Sequence, residues 1–172
     1  MISFHFEPQK FASAVGYIAE RVPNVTKKQI CKLLFFADKA HLLRFGRTIT
    51  GDTYYALEQG PVPTKGLDAI NSRGNQEFME AVRTVGHLAG WEFRLDAPPD
   101  LKALSRSDIA VLDEVIKRFG QFPAWKLEKI SHREQAWIKA TQNGPMAFED
   151  FFEGHSEEAI RVKEILLEES IA

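Results

Sequence analysis

When residues 26–45 are wound as a helix, that helix is apolar around most of its circumference. This segment constrains the fold more than any other. At 100° per residue, one face carries Ile30, Leu33, Leu34, Ala37 and His41, widened on one side by Phe36, Ala40 and Leu43. Only the strip that carries Lys28, Lys32 and Lys39 suits contact with water. A helix of this kind is covered by neighbours on several sides, so we predict that it is the central, most buried helix.

Local signals set the ends of this central helix and of the helix before it. Thr26 and Gln29 have the spacing of a capping box, which predicts the start of the central helix. Gly46 is the residue type expected just after a helix C-terminus, which predicts its end. An earlier helix with one apolar face begins near Pro8 and ends at Pro23.

The middle third of the chain contains the signals for β-structure. Residues 53–57 are β-branched and aromatic, which predicts a short strand. Residues 60–63, with two prolines, then interrupt regular structure before a short helix over residues 64–72. Two further candidate strands are residues 82–85 and residues 91–95, on either side of a connection at 87–90.

Three helices are predicted in the last third of the chain, from Ser105 to Phe119, from Pro123 to Ile130 and from Ser156 to Glu169. Asp108 follows Ser105 as a capping partner, and Ser131 with Glu134 has the spacing of another capping box. With 172 residues and 44% hydrophobic content, the chain can bury one core. We predict a mainly α, compact single domain over residues 1–172, a helical bundle around the central helix with a small β-hairpin or short antiparallel sheet in its middle third.

The charge balance and the apolar runs exclude several classes of protein. The formal net charge is -2 at pH 7, whereas a dedicated nucleic-acid-binding domain is usually basic, so nucleic acid is a poor fit as a partner. The longest apolar run is far shorter than the roughly 20 residues that cross a bilayer. The first residues also lack the basic and apolar regions of a signal peptide. We therefore predict a cytoplasmic protein that contacts no membrane.

No pattern of residues in the sequence defines an active site. Cys31, the single cysteine, lies within the central helix and is interpreted as a packing residue. His41 is interpreted as a buried, hydrogen-bonded histidine without a metal. Glu134, close to His132, is assigned to capping behind Ser131. The motifs of zinc proteases, serine hydrolases and P-loop proteins are missing, so no enzymatic activity, cofactor or metal site is predicted.

Aromatic and basic residues are the candidates for contact with a protein partner, because aromatic side chains are enriched at interface hot spots. Phe35 is predicted to project from the middle of the lysine strip. Tyr54 and Tyr55 point to opposite sides of their strand, so one of them must leave the core side. The partner-binding candidates are Phe35, Lys28, Lys32, Lys39, Tyr54 and Tyr55, and the large aromatics Trp91, Trp125 and Trp137 are considered with them.

Two separate segments resemble the motifs of a known family. The first runs from Lys32 to Arg47 and is followed by Glu58-Gln59-Gly60-Pro61-Val62. It resembles a helix of the form K-L-L-Y-F-A-x-x-x-H-L-x-x-x-G followed by G-P-V. The second runs from Leu104 to Trp137 and is similar to a helix that ends in Tyr/Phe-Gly, followed by T-H-x-x-x-x-W. This is the pattern of the Panacea (SocA-like) antitoxin domain, and the resemblance covers about residues 11–141.

The matching positions are His41, Gly46, Glu58, Gly60, Pro61, Val62, Ser131, His132 and Trp137. Ser131 replaces the commoner threonine, Gln59 stands where an aromatic residue is frequent, and residues 74–104 match nothing in the pattern. The family has no established catalytic residues, so the resemblance carries none over. We interpret the shared positions as architectural, with Gly60-Pro61 fixing a turn and the two histidines holding helices in register.

The resemblance implies an antitoxin domain of the kind found in phage-associated and toxin–antitoxin proteins. Such a domain neutralises, by direct binding, a protein toxin encoded by a neighbouring gene. Relatives pair with unrelated toxins, and one is described as an adaptor that delivers its toxin to a protease, so a proteolytic adaptor is an alternative. Two further alternatives are a winged-helix-like nucleic-acid-binding regulator and a hydrolase that joins His41 or His132 to a carboxylate.

Overall fold

Helix α2 (Lys27–Phe45) lies at the centre of the structure, a computed structural model that describes residues 1–171. Eleven of its 19 residues are buried, more than in any other helix of the described chain. The helices that pack against it are α1 (Pro8–Arg21), α5 (Arg106–Phe119), α6 (Ala124–Ser131) and α8 (Glu157–Ile171). The prediction of a buried central helix is therefore confirmed.

The remaining regular elements are short. The other helices are α3 (Thr64–Ile70), α4 (Gln76–Arg83) and α7 (Gln135–Lys139), with 3-10 turns at Leu101–Ala103 and Phe148–Phe152. The strands form two separate antiparallel hairpins, β1 (Tyr54–Leu57) with β2 (Gly60–Pro63) and β3 (Gly86–Ala89) with β4 (Glu92–Leu95). The predicted fold class, mainly α with a small β-hairpin in the middle third, is confirmed, and a second hairpin is added to it.

Capping interactions determine where the long helices begin and end. The Thr26 hydroxyl accepts a hydrogen bond from the backbone N–H of Gln29 at 3.2 Å, and the Gln29 side chain accepts one from the Thr26 N–H at 2.9 Å. The predicted capping box is thus confirmed. Gly46 ends α2 with a φ of 75°, a left-handed conformation that glycine adopts without strain. Ser105 with Asp108 forms the predicted capping box of α5.

The predicted capping box at Ser131 and Glu134 is wrong. Ser131 is instead the last residue of α6, and its hydroxyl donates a hydrogen bond to the Glu128 carbonyl at 2.7 Å. Helix α7 begins without a side-chain cap, and the Glu134 carboxylate forms an ion pair with Lys39. The Ser131 hydroxyl is thus used within its own helix, and a tertiary contact with α2 takes the Glu134 side chain away from the capping role that its spacing predicted.

Residues 60–63 form strand β2, although their two prolines predicted an interruption of regular secondary structure. Pro61 pairs with Ala56 and Pro63 pairs with Tyr54. Backbone groups of Ala56 and Tyr54 form hydrogen bonds with residues 143–146, on the other side of β1. The prolines therefore occupy positions at which β2 needs no N–H donor, the arrangement in which edge strands tolerate proline.

The region between the two hairpins is more regular than its sequence pattern indicated. Residues 76–83 form α4, and the side chain of Asn75 caps it by accepting a backbone N–H at 3.2 Å. The predicted strand at residues 82–85 is therefore wrong, whereas the predicted strand at 91–95 contains β4. Residues 86–89, most of which were assigned to a connection, pair with β4 as strand β3.

A buried carboxylate fixes the chain that follows α2. Asp38 has no exposed surface and accepts four hydrogen bonds. The donors are the Ile49 N–H at 2.7 Å, the Thr50 N–H at 3.0 Å, the Thr50 hydroxyl at 2.6 Å and the Tyr54 hydroxyl at 2.7 Å. A buried charge is tolerated only when it is paired or hydrogen-bonded, and here the donors come from the loop and from β1. Asp38 therefore ties α2 to the β1–β2 hairpin.

We expect Asp38→Ala to lower the free energy of unfolding by about 3–5 kcal/mol, because it leaves several buried donors without an acceptor. Tyr54→Phe removes only one donor from the same cluster and is expected to cost about 1 kcal/mol. Chemical denaturation followed by circular dichroism measures both values. Equal effects of the two substitutions would show that Asp38 does not organise the cluster.

Candidate partner-binding groove

The shared motif positions of α2, β2 and α6 meet in one tightly packed junction. The Lys32 Nζ donates a hydrogen bond to the Pro61 carbonyl at 2.9 Å. Gly60 has a φ of 101°, and a Cβ there would lie 2.6 Å from the Ser131 Oγ and 2.9 Å from the Lys32 Cε. Both conformation and space therefore require glycine at this position. The junction holds the β1–β2 hairpin against the two helices.

The closing motif attaches to the same hairpin. The indole Nε1 of Trp137 donates a hydrogen bond to the Leu57 carbonyl at 3.0 Å, and its ring stacks on His132 at a centroid distance of 4.1 Å. The His132 Nε2 is buried and has no hydrogen-bond partner among residues 1–171. Of the other motif positions on the hairpin, Glu58 is exposed in the turn and Val62 is buried. These contacts are architectural.

His41 joins α2 to the start of α5. It has no exposed surface; its Nδ1 lies 2.7 Å from the Arg47 carbonyl and its Nε2 lies 2.8 Å from the Ser107 hydroxyl. The Asp108 carboxylate, 3.2 Å from Nε2, also contacts Arg47 at 3.0 Å and Lys10 at 3.1 Å. Burial lowers the pKa of His41, which favours a neutral ring that donates to the carbonyl and accepts from the hydroxyl. The prediction of a buried, hydrogen-bonded His41 is confirmed.

The structure separates the residues that the sequence grouped as a partner surface. Phe35 and Tyr54 have no exposed surface, so the prediction that Phe35 projects from the lysine strip is wrong. Phe35 instead packs edge-on against Tyr54 within the core. Lys32 is also buried, at 4% exposure, and Lys39 is half-buried. The apolar surface of α2 extends further around the helix than its lysine spacing indicated.

The remaining candidates lie at different places on the surface. Lys28 is exposed near the start of α2, and Tyr55 is half-buried on β1. Lys39 lines a groove on α2, where it pairs with Glu134. Of the three tryptophans, Trp91 and Trp125 are 68% and 62% exposed, whereas Trp137 is half-buried against the hairpin. Lys28 and Lys32 line a small cavity, whereas Lys39 and Trp125 come together in one larger surface feature.

That feature is an open groove of about 1160 Å³ between α2, α5, α6 and the start of α8. We call it the aromatic groove, because it is lined by Phe36, Phe119, Phe122 and Trp125. Phe36 and Phe119 stack at a centroid distance of 4.5 Å. Aliphatic side chains extend the apolar lining, namely Ala40, Leu43, Val115, Ile130, Ala159 and Val162.

The charged side chains of the aromatic groove are mainly cationic. Six lysine and arginine residues line it, against three glutamates. Two of the glutamates form ion pairs within the groove, Glu114 with Arg44 at 2.6 Å and Glu134 with Lys39. Four cations form no ion pair among residues 1–171, namely Arg118, Lys126, Lys129 and Arg133. The groove therefore carries positive charge that the described chain leaves uncompensated.

Three of these cations lie over the aromatic rings. The Lys126 Nζ is 3.9 Å from the centre of the Phe122 ring, the Arg118 guanidinium is 5.0 Å from that of Phe119, and the Lys129 Nζ is 5.8 Å from that of Trp125. Such contacts orient long side chains along the rings and keep their charge at the surface. The groove thus presents cations and aromatic side chains together on one surface.

Sequence reasoning did not identify most of this site. Trp125 and Lys39 were among its candidates, but Arg118, Lys126, Lys129 and Arg133 were not. The sequence of α6 and of the residues just after it does contain a signal for a basic surface. Basic residues recur there three or four positions apart, beside Trp125. That spacing places the side chains on one exposed face of a short helix.

The structure thus combines a mainly helical fold with a basic, aromatic surface groove. Within residues 1–171, no group of three or more His, Cys, Asp or Glu side chains is placed to hold a metal ion. Among the helices of that same stretch, none is long and apolar enough to cross a membrane. The groove is the candidate surface for contact with another macromolecule.

Comparison with known proteins gives the family. The family model described as antitoxin SocA-like, Panacea domain, matches residues 30–138. The chain belongs to this family, and membership supports an antitoxin-like role. No curated protein and no solved structure matches the chain.

The lowered pKa of His41 predicts a pH dependence of stability. Because the folded state favours the neutral ring, the unfolded chain binds the proton more readily, and stability is lost as pH falls below the ordinary value of 6.5. His41→Asn, which keeps a donor for the Arg47 carbonyl, should cost about 1–3 kcal/mol at pH 7.5 and flatten the decline between pH 7.5 and 5. Denaturation midpoints at several pH values measure this, with the exposed His87→Asn as control. An unchanged slope in His41→Asn would contradict the prediction.

Proposed function

We propose that this chain is an antitoxin that neutralises a protein toxin, encoded by a neighbouring gene, by binding it directly in the aromatic groove. Family membership supports the antitoxin role. The observation that carries the choice of surface is the coincidence of four uncompensated cations with an exposed Trp125 in one groove. Tryptophan and arginine are the residue types that most often dominate binding energy at protein interfaces.

The toxin segment that fits this groove is acidic on one face and apolar on the other. Its carboxylates would face Arg118, Lys126, Lys129 and Arg133, and its apolar side chains would cover Phe119 and the neighbouring aliphatic residues. An amphipathic helix in a groove is a recurring mode of peptide recognition that meets both requirements. Electrostatic attraction of this kind speeds encounter and excludes partners of the wrong charge.

A protein partner suits the groove better than a nucleic acid. Much of the lining is aliphatic, and the acidic start of α8 places Glu158 along its wall. A phosphate backbone would meet this carboxylate, and the whole chain carries a formal net charge of -2. An acidic helix can instead turn its apolar face toward the aliphatic residues and its carboxylates toward the cations.

We also propose that the chain acts by binding and has no catalytic role. The His41–Asp108 pair, a candidate for acid–base chemistry, has no exposed surface, and its atoms are occupied by Arg47, Ser107 and Lys10. Burial raises the pKa of the Cys31 thiol to about 11, so the thiol is protonated and weakly nucleophilic at neutral pH. These arrangements favour structural roles for both groups.

Trp125→Ala is expected to weaken toxin binding by about 30-fold or more, as for a central hot-spot residue. The matched control is Trp91→Ala, since Trp91 is similarly exposed but lies at the turn of the β3–β4 hairpin, outside the groove. Co-purification with the product of the neighbouring gene, calorimetry and rescue of growth on toxin expression measure the effect. If the Trp125→Ala and Trp91→Ala variants bind the toxin with equal affinity, the interface lies outside the groove.

The double charge reversal Lys126→Glu with Lys129→Glu should abolish rescue and lower the association rate without changing the melting temperature. The control is Lys65→Glu, an exposed lysine on α3 outside the groove.

The complex is expected to bury at least about 1,200 Å² in total. Toxin half-life in cells separates sequestration from delivery to a protease, and a gel shift at low salt tests the nucleic-acid alternative. Failure to bind the neighbouring product rejects direct neutralisation.

A further inference from the structure

A second, smaller cavity of about 380 Å³ lies beside the first turns of α2. Helix α6 separates it from the aromatic groove, because Ala124 and Glu128 line the cavity whereas Trp125 and Lys129 line the groove. Its volume falls within the range of cavities that hold small molecules, roughly 300–1,000 Å³. The antitoxin proposal does not use this cavity.

The cavity contains a buried cation with an incomplete set of partners. Lys32 is 4% exposed, and its Nζ forms one hydrogen bond, to the Pro61 carbonyl, of the three that an ammonium can donate. No carboxylate of residues 1–171 lies within the 4.0 Å ion-pair distance of this Nζ. An ammonium is normally buried only with a counter-charge, so the described chain leaves this site electrostatically incomplete.

The other charged groups around the cavity leave a positive balance. Lys27 and Lys28 line it together with Lys32, against the carboxylates of Glu58 and Glu128. Lys28 and Glu58 are exposed, whereas Lys27 donates a hydrogen bond to the Asn71 side chain at 3.0 Å. Glu128 interacts electrostatically with Lys32 from beyond ion-pair distance. An anion that reaches Lys32 would therefore meet a site with one net positive charge.

Apart from the polar side chains of Gln59 and Asn143, the rest of the wall is apolar. It is formed by Leu57, Val62, Leu67, Ala124 and the buried Cys31. Such a lining favours a ligand that leaves water with an apolar body, while a few polar groups fix its orientation. An inorganic ion alone would leave these walls uncovered.

We propose that this cavity binds a small amphiphilic anion, with a carboxylate or phosphate at Lys32 and an apolar body against Leu57, Val62 and Leu67. The anion completes the hydrogen bonding of the buried ammonium, and Lys28 stands near the opening. Charge-assisted hydrogen bonds of this type are shorter and stronger than neutral ones. The bound head group raises the pKa of Lys32, which burial lowers in the empty protein.

The test is a titration of the isotopically labelled full chain, followed by backbone amide signals in nuclear magnetic resonance. The probes are octanoate, octyl phosphate, inorganic phosphate and uncharged octanol. Saturable shifts are expected at Cys31, Gln59 and Asn143 with the two amphiphilic anions, and none at the Trp125 indole. A comparison of the affinities of octanoate and octyl phosphate shows which head group the site prefers. Octanol and inorganic phosphate should bind at least tenfold more weakly.

Two substitutions test the assignment of the head group. Lys32→Met keeps an unbranched side chain, shorter by the terminal ammonium, and removes its charge; it should weaken octanoate or octyl phosphate binding at least tenfold. Lys28→Met should weaken it several-fold and, since Lys28 is exposed, should fold normally even if Lys32→Met does not. Lys117→Met, an exposed lysine on α5 outside both cavities, is the matched control.

Each contrary outcome overturns the proposal. If octanol binds as tightly as octanoate, the cavity is apolar and has no anion site. If inorganic phosphate binds as tightly as octyl phosphate, the ligand does not need an apolar body. Shifts confined to the Trp125 indole place binding in the aromatic groove. Because no toxin is present, the result is independent of the antitoxin proposal.

Discussion

The burial of α2 is the constraint on which the rest of the structure depends. A helix that is covered on almost every side finds the partners of its buried polar groups mainly within the protein. Lys32 reaches the Pro61 carbonyl, Asp38 collects donors from the following loop and from β1, and His41 bridges to the start of α5. Each of these three buried residues thereby fixes one neighbouring element in position. The same residues that would destabilise the core if unpaired therefore specify how the elements are arranged around it.

This arrangement produces both surface cavities. His41 and its partners hold α5 against the C-terminal half of α2, and these helices form two walls of the aromatic groove. Lys32 bonds the hairpin near the N-terminal half, and Gly60 packs closely against Ser131 of α6, where the smaller cavity lies. Helix α6 is shared, with Trp125 on the groove side and Glu128 on the cavity side. A short helix thus contributes to two sites of different shape and polarity.

Long elements with periodic patterns could be predicted from the sequence, whereas roles decided by tertiary contacts could not. The central helix and the Thr26 capping box follow from spacing alone, because their interactions are local. Ser131 and Glu134 have equally good capping spacing, yet Glu134 pairs with Lys39 of α2 and the Ser131 hydroxyl bonds within α6. Phe35 lies between lysines but faces the core, since the hairpin and the 3-10 turn at Phe148–Phe152 cover that side of α2. The groove could not be predicted as a site, because its basic residues come from helices whose packing only the fold determines.

The division between motif positions and groove residues bears on how such a domain recognises its partner. The motif positions Gly60, Ser131 and Trp137 make framework contacts, and a change at any of them disturbs the core. Trp125 and the unpaired cations are exposed or half-buried, so substitutions there cost little stability. Helix α8, which closes the groove, lies beyond the matched residues 30–138. A framework held by buried polar contacts can therefore carry a groove whose charge and shape change at little cost in stability.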